Sequence, residues 1–290
     1  MNRNDVDMNH INAELERLET EGIRPDLADL DRWSTAGVVA QIAADDATVA
    51  PAVADEAPRI AAAVDAITER MRAGGRLIYV GAGTPGRLAV VDASECVPTF
   101  GIDPGMVLAV VAGGSDAVTT AVEGAEDDVV AAAADLRAVG VSAGDAVVGI
   151  TASGRTPYVL AAMAAASEAG AVTIGVSNNR RTQLSERVDI AIEVVTGPEV
   201  IAGSTRMKAG TAQKLVLNTL STATMIRLGK THGNLMVDVR ATNVKLRARA
   251  LRIVVAATGV DDNTATAALD RAGGHAKSAI TALLAGKEPS

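Results

Sequence analysis

Aromatic residues, cysteine and long apolar runs are all scarce in this sequence. Aromatic side chains make up 1% of the 290 residues, which argues against the stacking surfaces that bind single-stranded nucleic acids. The single cysteine, Cys96, excludes an internal disulfide and a four-cysteine zinc site. No run approaches the roughly 18 apolar residues of a membrane span, and the polar N-terminus lacks the apolar core of a signal peptide. These absences predict a cytoplasmic protein with no membrane partner.

Positive charge is in the minority, but it is concentrated in one segment. The chain has 27 Lys and Arg against 35 Asp and Glu, a net charge of −8, whereas a general polyanion binder usually carries the opposite sign. Between Arg206 and Arg252 the sequence nevertheless has ten basic residues and one acid, Asp238. This segregation indicates a surface that faces an anion or an acidic partner, although the same residues also suit an ordinary solubilising face. We expect no nucleic-acid partner.

The pattern of apolar segments predicts an α/β fold. With hydrophobic residues at 48% and hardly any aromatics, alanine and valine must build most of the core. Leu77–Val80 is a short apolar run that leads into a glycine turn and then a helical pattern, the opening unit of such a fold. Further strands are predicted at 106–111, 146–150, 172–176 and 188–194. The alternation predicts a doubly wound parallel sheet with helices on both faces and ligands at the carboxyl ends of its strands.

Helical segments precede and follow the predicted sheet. The spacing of apolar residues predicts an amphipathic helix over 5–21, two alanine-rich helices over 35–71 and one helix over 117–139. After Val195 we expect no further strands, only helices over 207–228, 239–257 and 264–284. The organisation predicts an N-terminal helical segment (1–55), a central α/β domain (56–225) and a small C-terminal helical subdomain (226–290).

Three polar loops fall where such a sheet places its ligand site. Gly81–Arg87 lies between a strand and a helix, where glycines let the backbone approach a phosphate and the helix N-terminus supplies free N–H groups. Neither the Walker A nor the dinucleotide-binding pattern fits it well. Thr151–Thr156 repeats this chemistry with hydroxyls after a later strand, and Gly203–Lys208 begins a long helix. Each loop also suits an ordinary turn or N-cap, but two of them at successive strand ends favour a phosphate or phosphosugar site.

The acidic candidates for chemistry lie in two short segments. Asp92 and Glu95 follow the first loop, and Glu123 and Glu126 lie further along. Paired carboxylates act as general acid and general base when their surroundings differ. Spacing alone predicts a solvated helix face for Glu126, whereas Glu95 lies in an apolar stretch. The three histidines are far apart in the sequence, so we expect no metal site.

Taken together, these segments resemble the N-acetylmuramic acid 6-phosphate etherases, a family of sugar isomerase (SIS) domain proteins. The resemblance extends from about residue 20 to the C-terminus and is carried by long motifs. The matching segments are Gly81–Leu88, Asp92–Cys96, Ala121–Asp127, Ala152–Tyr158, Gly203–Lys214 and Gly233–Val239. The resemblance implies that the central domain contains an SIS-type sheet and binds a phosphosugar.

The resemblance also implies an activity, a carbon–oxygen lyase that cleaves the D-lactyl ether of N-acetylmuramic acid 6-phosphate to N-acetylglucosamine 6-phosphate and D-lactate. Lactate is eliminated and water then adds to the unsaturated sugar, without a metal or organic cofactor. By its matching position, Glu95 is the acid that protonates the leaving oxygen, helped to stay protonated by apolar neighbours, and Glu126 is the second catalytic carboxylate. The residues expected to bind the substrate and its phosphate are Gly83, Thr84, Ser94, Ser153, Gly154, Arg155, Thr156, Ser204, Thr205 and Lys208.

Two segments depart from the family's pattern. Pro85 stands where the family usually has serine, so a hydroxyl and a backbone N–H are missing from the first loop, although proline is comfortable in the first turn of a helix. The family's Thr-Glu-x-Arg-Asn motif is changed at 20–24, which displaces an arginine expected to help recognise substrate. A non-catalytic SIS sensor of sugar phosphates and a phosphosugar isomerase stay open as alternatives. A homodimer is expected by analogy with SIS proteins, and because an alanine-rich helical layer otherwise leaves apolar surface exposed.

Overall fold

The computed structural model describes residue 15, residues 18–238 and residues 244–286. Most of the helix predicted over 5–21 therefore lies outside the described residues, and its last part, Glu19–Glu21, is a turn of 3₁₀ helix. Two further 3₁₀ turns, Pro25–Leu27 and Leu30–Arg32, follow before the first long helix.

Five parallel strands form the central sheet. They are β1 (Leu77–Gly81), β2 (Val107–Val111), β3 (Ala146–Ile150), β4 (Val172–Ser177) and β5 (Ile190–Glu193). Their spatial order is β2-β1-β3-β4-β5, and Leu77 pairs with Val107 on one side and with Ala146 on the other. The strands at the centre are short and buried on both faces, as the continuous apolar runs in the sequence predict for a parallel sheet.

Helices cover both faces of this sheet. They are α1 (Thr35–Asp46), α2 (Val49–Asp55), α3 (Ala57–Arg72), α4 (Gly83–Phe100), α5 (Asp116–Thr119), α6 (Val129–Ala138), α7 (Pro157–Glu168), α8 (Lys208–Arg227), α9 (Val244–Thr258), α10 (Asp262–Arg271) and α11 (Ala276–Leu284). One core joins the sheet to α3, α4 and α8 and contains Ile67, Ala93 and Leu217. Another joins it to α6 and α7 and contains Leu136 and Met163. The predicted doubly wound sheet is therefore confirmed.

The helices that follow the adjacent strands β1 and β3 pack on opposite faces of the sheet. Alternate residues of β1 belong to different cores, since Tyr79 lies in the core with α4 and Ile78 lies in the core with α7. The crevice between the carboxyl ends of β1 and β3 is consequently the topological switch point, where doubly wound sheets bind their ligands. The β1–α4 and β3–α7 loops that flank it are two of the three polar loops in the sequence.

The 35–71 segment forms three helices and not the two predicted. One break follows Asp46, and a second break at Glu56 separates α2 from α3. Pro51 does not end a helix, because it lies in the first turn of α2, where its missing N–H would have no helical partner. Pro58 occupies the same favourable place at the start of α3.

The single helix predicted over 117–139 is also wrong. The chain forms the short α5, an irregular segment and a 3₁₀ turn at Ala125–Asp127 before α6 begins. Gly124 interrupts the helical pattern with φ +73°, and Asp128 caps α6 by accepting hydrogen bonds from two backbone N–H groups. Glu126 therefore lies on a turn and not on the solvated helix face that its spacing predicts.

The C-terminal residues form a third core, which includes Val237, Val254 and Ile280. A two-stranded hairpin, β6 (Thr231–His232) and β7 (Leu235–Met236), precedes its helices, so the expectation of no strand after residue 195 is wrong. The helix predicted over 264–284 is divided into α10 and α11 by a glycine pair. The domain division at residues 55 and 225 stays a prediction.

Candidate functional site

The β1–α4 loop presents backbone N–H groups at the carboxyl edge of the sheet. Gly83 has φ +59° and no neighbouring atom within 4 Å of the place that a Cβ would occupy. No described residue accepts a hydrogen bond from the N–H of Gly83 or Thr84, and no side chain caps α4. Gly81 keeps the turn tight, because a Cβ there would lie 2.7 Å from the N atom of Gly86. Pro85 lies in the first turn of α4, as expected, and the open helix end favours a phosphate.

The β3–α7 loop is held together by its own hydroxyl groups. The Oγ1 of Thr151 lies 2.7 Å from the Oγ1 of Thr156 and 3.3 Å from the Oγ of Ser153. Neither Ser153 nor Thr156 caps α7 through its side chain, so these two residues are not the plain N-caps of the alternative interpretation. Gly154 is buried with φ +69°, and Arg155 beside it is half-buried. The loop therefore keeps a fixed shape at the edge of the crevice.

Buried amide side chains support this loop from behind. Asn179 donates to the carbonyl O of Ala152 at 2.8 Å and to Thr20 Oγ1 at 2.9 Å. Asn178 donates its backbone N–H to the same carbonyl, and its side-chain oxygen accepts from Gln213 on α8 at 2.9 Å. These supporting residues were not predicted from the sequence. The sequence nevertheless contains a signal for them, because the polar pair Asn178 and Asn179 follows the buried strand β4 directly.

The N-terminus of α8 is closed by a carboxylate of the chain itself. The buried Glu199 accepts hydrogen bonds from the N–H groups of Lys208 and Ala209, at 3.0 Å each. The next two N–H groups bond to carbonyl groups of the preceding turn. The third polar loop therefore differs from the other two, because its helix offers no open backbone N–H to a phosphate. Glu199 was not predicted as a site residue, because no local pattern links it to α8.

The first and third polar loops meet beside Gly210. A Cβ at this position would lie 3.5 Å from Cγ2 of Thr84 and 3.6 Å from the carbonyl O of Thr205, so α4 and α8 approach each other where both begin. Lys208 is buried, with 6% of its surface exposed, and Ser204 is half-buried in the same loop. The structure thus brings these predicted binding residues together.

Glu126 and the first loop line one cavity of about 410 Å³. Gly83 and Arg87 contribute to one side of this cavity, and the irregular segment before α6 contributes to the other. The Nε of Arg87 donates to the carbonyl O of Val118 at 3.1 Å, which fixes the arginine against that segment. One predicted catalytic carboxylate therefore shares a cavity with the open N-terminus of α4.

Glu95 does not line this cavity. It lies twelve residues after Gly83 on α4, a distance of about 18 Å along the helix axis, and its side chain is exposed. Ser94 is exposed beside it and donates to the carbonyl O of Val91, whose own side chain is 58% exposed. The apolar surroundings expected for Glu95 are therefore absent within one chain, because neighbours such as Cys96 face the core on the other side of the helix.

Asp92 anchors the buried side of α4 to the rest of the fold. Its carboxylate accepts hydrogen bonds from Tyr79 at 2.8 Å, Asn218 at 2.6 Å and Ser221 at 3.0 Å, which joins α4 to β1 and α8. Burial and the nearby Asp92 charge hold the pKa of Tyr79 well above its usual value. Burial likewise raises the pKa of Cys96 to about 12, so this thiol is a buried, unreactive group.

The arginine of the altered 20–24 segment is bound to two carboxylates. The Nη1 of Arg24 lies 2.8 and 2.7 Å from the two oxygens of Asp45, and its Nη2 lies 2.6 Å from Asp26. Hydrogen bonds to Asp26 and Asp45 raise the pKa of Arg24. Its guanidinium group therefore stabilises the N-terminal segment of the fold.

Two features are absent from the residues that the structure describes. None of the helices found in residues 15, 18–238 and 244–286 has the length and hydropathy needed to cross a membrane. Over the same ranges, no group of three or more His, Cys, Asp or Glu side chains is arranged to hold a metal ion.

Comparisons with known families and structures identify the fold. The model of the glucokinase regulatory protein N-terminal SIS domain matches residues 59–167, and that of the SIS domain matches residues 128–223. A phosphoheptose isomerase from Francisella tularensis has a TM-score of 0.51 at 21% identity, with 64% of this chain and 97% of that chain covered. A capsule-formation protein of Bacteroides fragilis has a TM-score of 0.51 at 20% identity, with 69% and 98% covered. These likenesses show the SIS fold.

Comparison with curated proteins identifies the family. The N-acetylmuramic acid 6-phosphate etherase of Rubrobacter xylanophilus is 59% identical over 275 residues, which are 95% of this chain and 91% of that protein. Proteins of the same name from Streptomyces coelicolor and Mycolicibacterium smegmatis are each 56% identical, covering 95% and 94% of this chain and 88% and 92% of their own lengths. On this identity along nearly its whole length, the chain belongs to the N-acetylmuramic acid 6-phosphate etherase family of SIS-domain proteins.

Proposed function

We propose that this chain converts N-acetylmuramic acid 6-phosphate and water to N-acetylglucosamine 6-phosphate and D-lactate, a carbon–oxygen lyase reaction of amino-sugar recycling. The observation that carries the proposal is the 59% identity to a protein named for this etherase activity. The geometry of the crevice supports it. The open N-terminus of α4 and the hydroxyl-lined β3–α7 loop flank the switch point, and a helix N-terminus of this kind favours the phosphate of a phosphosugar.

The reaction needs a base and an acid at adjacent carbons of the opened sugar. The C2 proton, next to the C1 aldehyde, is only weakly acidic, so a positioned base removes it. The lactate oxygen at C3 is a poor leaving group, so a positioned acid protonates it as the C3–O bond breaks. Water then adds at C3 of the unsaturated aldehyde and a proton returns to C2. Over the two steps, one water molecule is consumed for each lactate released.

We assign these two roles to Glu95 and Glu126, because both match the motifs of the family. Glu126 lines the same cavity as Gly83, which supports a place for it near a sugar whose phosphate lies at the N-terminus of α4. The loops around the crevice supply the proposed substrate contacts. These are Gly83, Thr84, Ser153, Gly154, Arg155, Thr156, Ser204, Thr205 and Lys208, with Ser94 beside Glu95.

We propose that a second copy of the chain brings the two carboxylates together. Glu95 is exposed within one chain and lies beside Val91, which is 58% exposed. We therefore propose a homodimer in which the outer face of α4 of one protomer closes the crevice of the other. This contact buries Val91 and removes water from around Glu95, which favours the protonated form that an acid catalyst needs.

The activity is tested by a D-lactate assay on the purified protein with N-acetylmuramic acid 6-phosphate in oxygen-18 water. We expect lactate release, with the label entering N-acetylglucosamine 6-phosphate at C3. Glu126→Gln is expected to abolish lactate release and to leave the unfolding transition unchanged. An isomerised sugar without lactate would indicate an isomerase instead, and binding without turnover would indicate a sensor.

Mixing two inactive variants tests whether the catalytic pair spans two chains. Glu95→Gln and Glu126→Gln are each expected to be inactive as homodimers. After subunit exchange, half of the dimers are mixed, and one of the two sites in each has both carboxylates only if the pair spans the interface. We therefore expect about one quarter of wild-type activity to return. If both carboxylates act within one chain, every site keeps one defect and the mixture stays inactive.

A further inference from the structure

Arg87 is the only cation among the described residues that line the cavity of Gly83 and Glu126. The cavity is otherwise lined by alanines, glycines, Val122 and two acids, Glu123 and Glu126. Its volume of about 410 Å³ lies in the range of small-molecule sites, which place a few polar groups in mostly apolar walls. Arg87 shares this cavity with the open N-terminus of α4 and a proposed catalytic carboxylate, so it is positioned to contact the bound substrate.

One nitrogen of the Arg87 guanidinium group is fixed, and the other two are open. The Nε donates to the carbonyl O of Val118 at 3.1 Å, so the side chain extends from α4 to α5. Its Nη1 and Nη2 make no hydrogen bond and no ion pair within the part of the chain that the structure describes. Anchoring at Nε orients the planar group in advance, which lowers the entropy lost when its two open nitrogens bind a ligand.

Arg87 and Glu126 line one cavity but form no ion pair with each other in the described structure. Opposite charges that share a cavity of this size without pairing leave room between them for a ligand. A fitting ligand has an anion for the guanidinium group and, a few bonds away, a weakly acidic proton or a leaving oxygen for the carboxylate. The geometry therefore favours a substrate whose reacting carbons lie close to a negative charge.

The substrate of the proposed function carries two anions, the phosphate on C6 and the carboxylate of the lactyl group on C3. The open N–H groups of α4 and the hydroxyls of the β3–α7 loop suit the phosphate. The lactyl carboxylate lies beside the reacting carbons, because the C3–O bond breaks and the C2 proton leaves. Its two coplanar oxygens match the paired N–H groups of a guanidinium fork. Arg87, in the same cavity as Glu126, therefore suits the carboxylate.

We propose, resting on the proposed function, that Nη1 and Nη2 of Arg87 bind the lactyl carboxylate of N-acetylmuramic acid 6-phosphate. This contact holds C2 and C3 of the sugar beside Glu126. It also distinguishes the substrate from N-acetylglucosamine 6-phosphate, which has a hydroxyl group at C3 and no carboxylate. The product sugar leaves the two nitrogens open again, which favours its release over renewed binding.

Arg87→Met removes the charge and the fork, whereas Arg87→Lys keeps the charge and removes the fork. Arg137→Met, at an exposed arginine of α6 that does not line the cavity, is the matched control. Calorimetry measures binding in proteins that also carry Glu95→Gln, so that no substrate is turned over and the cavity is unaltered. We expect Arg87→Met to weaken binding of N-acetylmuramic acid 6-phosphate about 10- to 100-fold, the range for one charge-assisted contact, and Arg87→Lys to weaken it less. Binding of N-acetylglucosamine 6-phosphate is expected to stay unchanged in all three variants.

A neutral analogue of the substrate separates binding of the carboxylate from a structural role of the arginine. In the lactyl carboxamide of N-acetylmuramic acid 6-phosphate, the shape of the group is kept and its charge is removed. Protein with Arg87 intact is expected to prefer the acid over the amide about 10- to 100-fold. Arg87→Met is expected to bind the two alike. A structural role, through the Nε bond to Val118, would weaken both ligands equally and keep the ratio of their affinities.

The ratio of acid to amide affinity decides the assignment. A ratio that stays the same in Arg87→Met, or a ratio near one with Arg87 intact, would overturn the proposal. Equal weakening of both sugar phosphates would overturn it as well, because the contact would then be with the phosphate. Arg87→Lys supplies the same ratio if the methionine variant does not fold. A wild-type protein that releases no lactate refutes the proposed function, whereas lactate release with an unchanged ratio refutes only the Arg87 assignment.

Discussion

At the scale of single residues, the first loop lacks two donors because Pro85 stands beside the open N–H groups of Gly83 and Thr84. Pro85→Ser supplies a hydroxyl and an N–H at the proposed phosphate site, and each charge-assisted hydrogen bond contributes about 1.5–3 kcal/mol. We expect the Kd for N-acetylglucosamine 6-phosphate to fall at least about tenfold, as measured by calorimetry. Pro85→Ala supplies the N–H alone and separates the two contributions. Unchanged affinity in both variants would mean that the phosphate binds elsewhere.

Asp145, at the opposite edge of the sheet, gives the fold a dependence on pH. Its carboxylate accepts hydrogen bonds from the backbone N–H and guanidinium of Arg76 and from the backbone N–H of Ser142. Burial works to raise the pKa of Asp145, but the hydrogen bonds from Arg76 and Ser142 outweigh it and lower this pKa below the usual 3.8. A lowered folded-state pKa means that the ionised group stabilises the fold above about pH 4, and that this contribution is lost as the pH falls through the lowered value.

Asp145→Asn is therefore expected to be less stable than wild type by a constant amount between about pH 5 and pH 8. The difference in free energy of unfolding shrinks below about pH 4, because the wild-type carboxylate becomes protonated there. Urea unfolding at several pH values measures both regimes. Asp65→Asn, at an exposed acid of α3, is the matched control. If the difference in unfolding free energy between Asp145→Asn and wild type persists undiminished to pH 2, the ionised carboxylate of Asp145 is not its source.

At the scale of elements, the β3–α7 loop depends on glycine for two separate reasons. Gly154 has φ +69°, and a Cβ there would lie 2.2 Å from the Cβ of Thr182. Gly140 has a similar φ of +64° but open space around it, so Gly140→Ala isolates the backbone strain of about 1–2 kcal/mol. We expect Gly154→Ala to cost about 2–5 kcal/mol, since overpacking adds to that strain. Urea unfolding measures the loss of unfolding free energy in both variants. Equal losses would show that the loop accommodates the added methyl group of Gly154→Ala without overpacking.

Gly154→Ala also moves the hydroxyls of the loop, so it is expected to weaken sugar-phosphate binding while Gly140→Ala does not. The reason is that the hydrogen bonds of the Thr151 hydroxyl with those of Ser153 and Thr156 depend on the path of the backbone between them. Calorimetry with N-acetylglucosamine 6-phosphate measures this effect on any Gly154→Ala protein that remains folded. Unchanged affinity would remove the β3–α7 loop from the phosphate site.

The sequence predicts elements well where local patterns decide them and poorly where distant contacts do. The strands and the Gly81–Arg87 turn were predictable, because buried apolar runs and glycines identify them directly. The break before α6 was missed although Gly124 marks it, since alanines and valines on either side continue a helical pattern. Two features of the site could not be predicted from the sequence. Glu199 caps a helix nine residues away through a folded loop, and the exposure of Glu95 depends on how α4 is rotated against the sheet.

At the scale of the whole molecule, the one acid of the basic segment, Asp238, links that segment to the C-terminal helices. Asp238 has a buried carboxylate that lies 3.2 Å from Nε2 of His275, 3.4 Å from Nζ of Lys230 and 3.6 Å from Nζ of Lys277. The backbone of Asp238 packs so closely on the end of α4 that a Cβ at Gly101 would lie 2.0 Å from its carbonyl O. This cluster joins the C-terminal core to the sheet domain, and Lys230 is the basic residue of the segment that pairs with Asp238 in it.

Asp238→Ala is expected to loosen the C-terminal helices without disturbing the sheet. Two lysines lose their counter-charge, and a loss of about 1–3 kcal/mol follows. Native-state hydrogen exchange tests this locally, because amides of α9–α11 are expected to exchange about ten- to a hundredfold faster while those of β1 and β3 keep their protection. Asp262→Ala, at an exposed acid of the same helices, is the control. If the exchange rates of the amides in β1 and β3 rise to the same extent, the C-terminal core unfolds only together with the sheet. The predicted domain boundary near residue 225 would then be wrong.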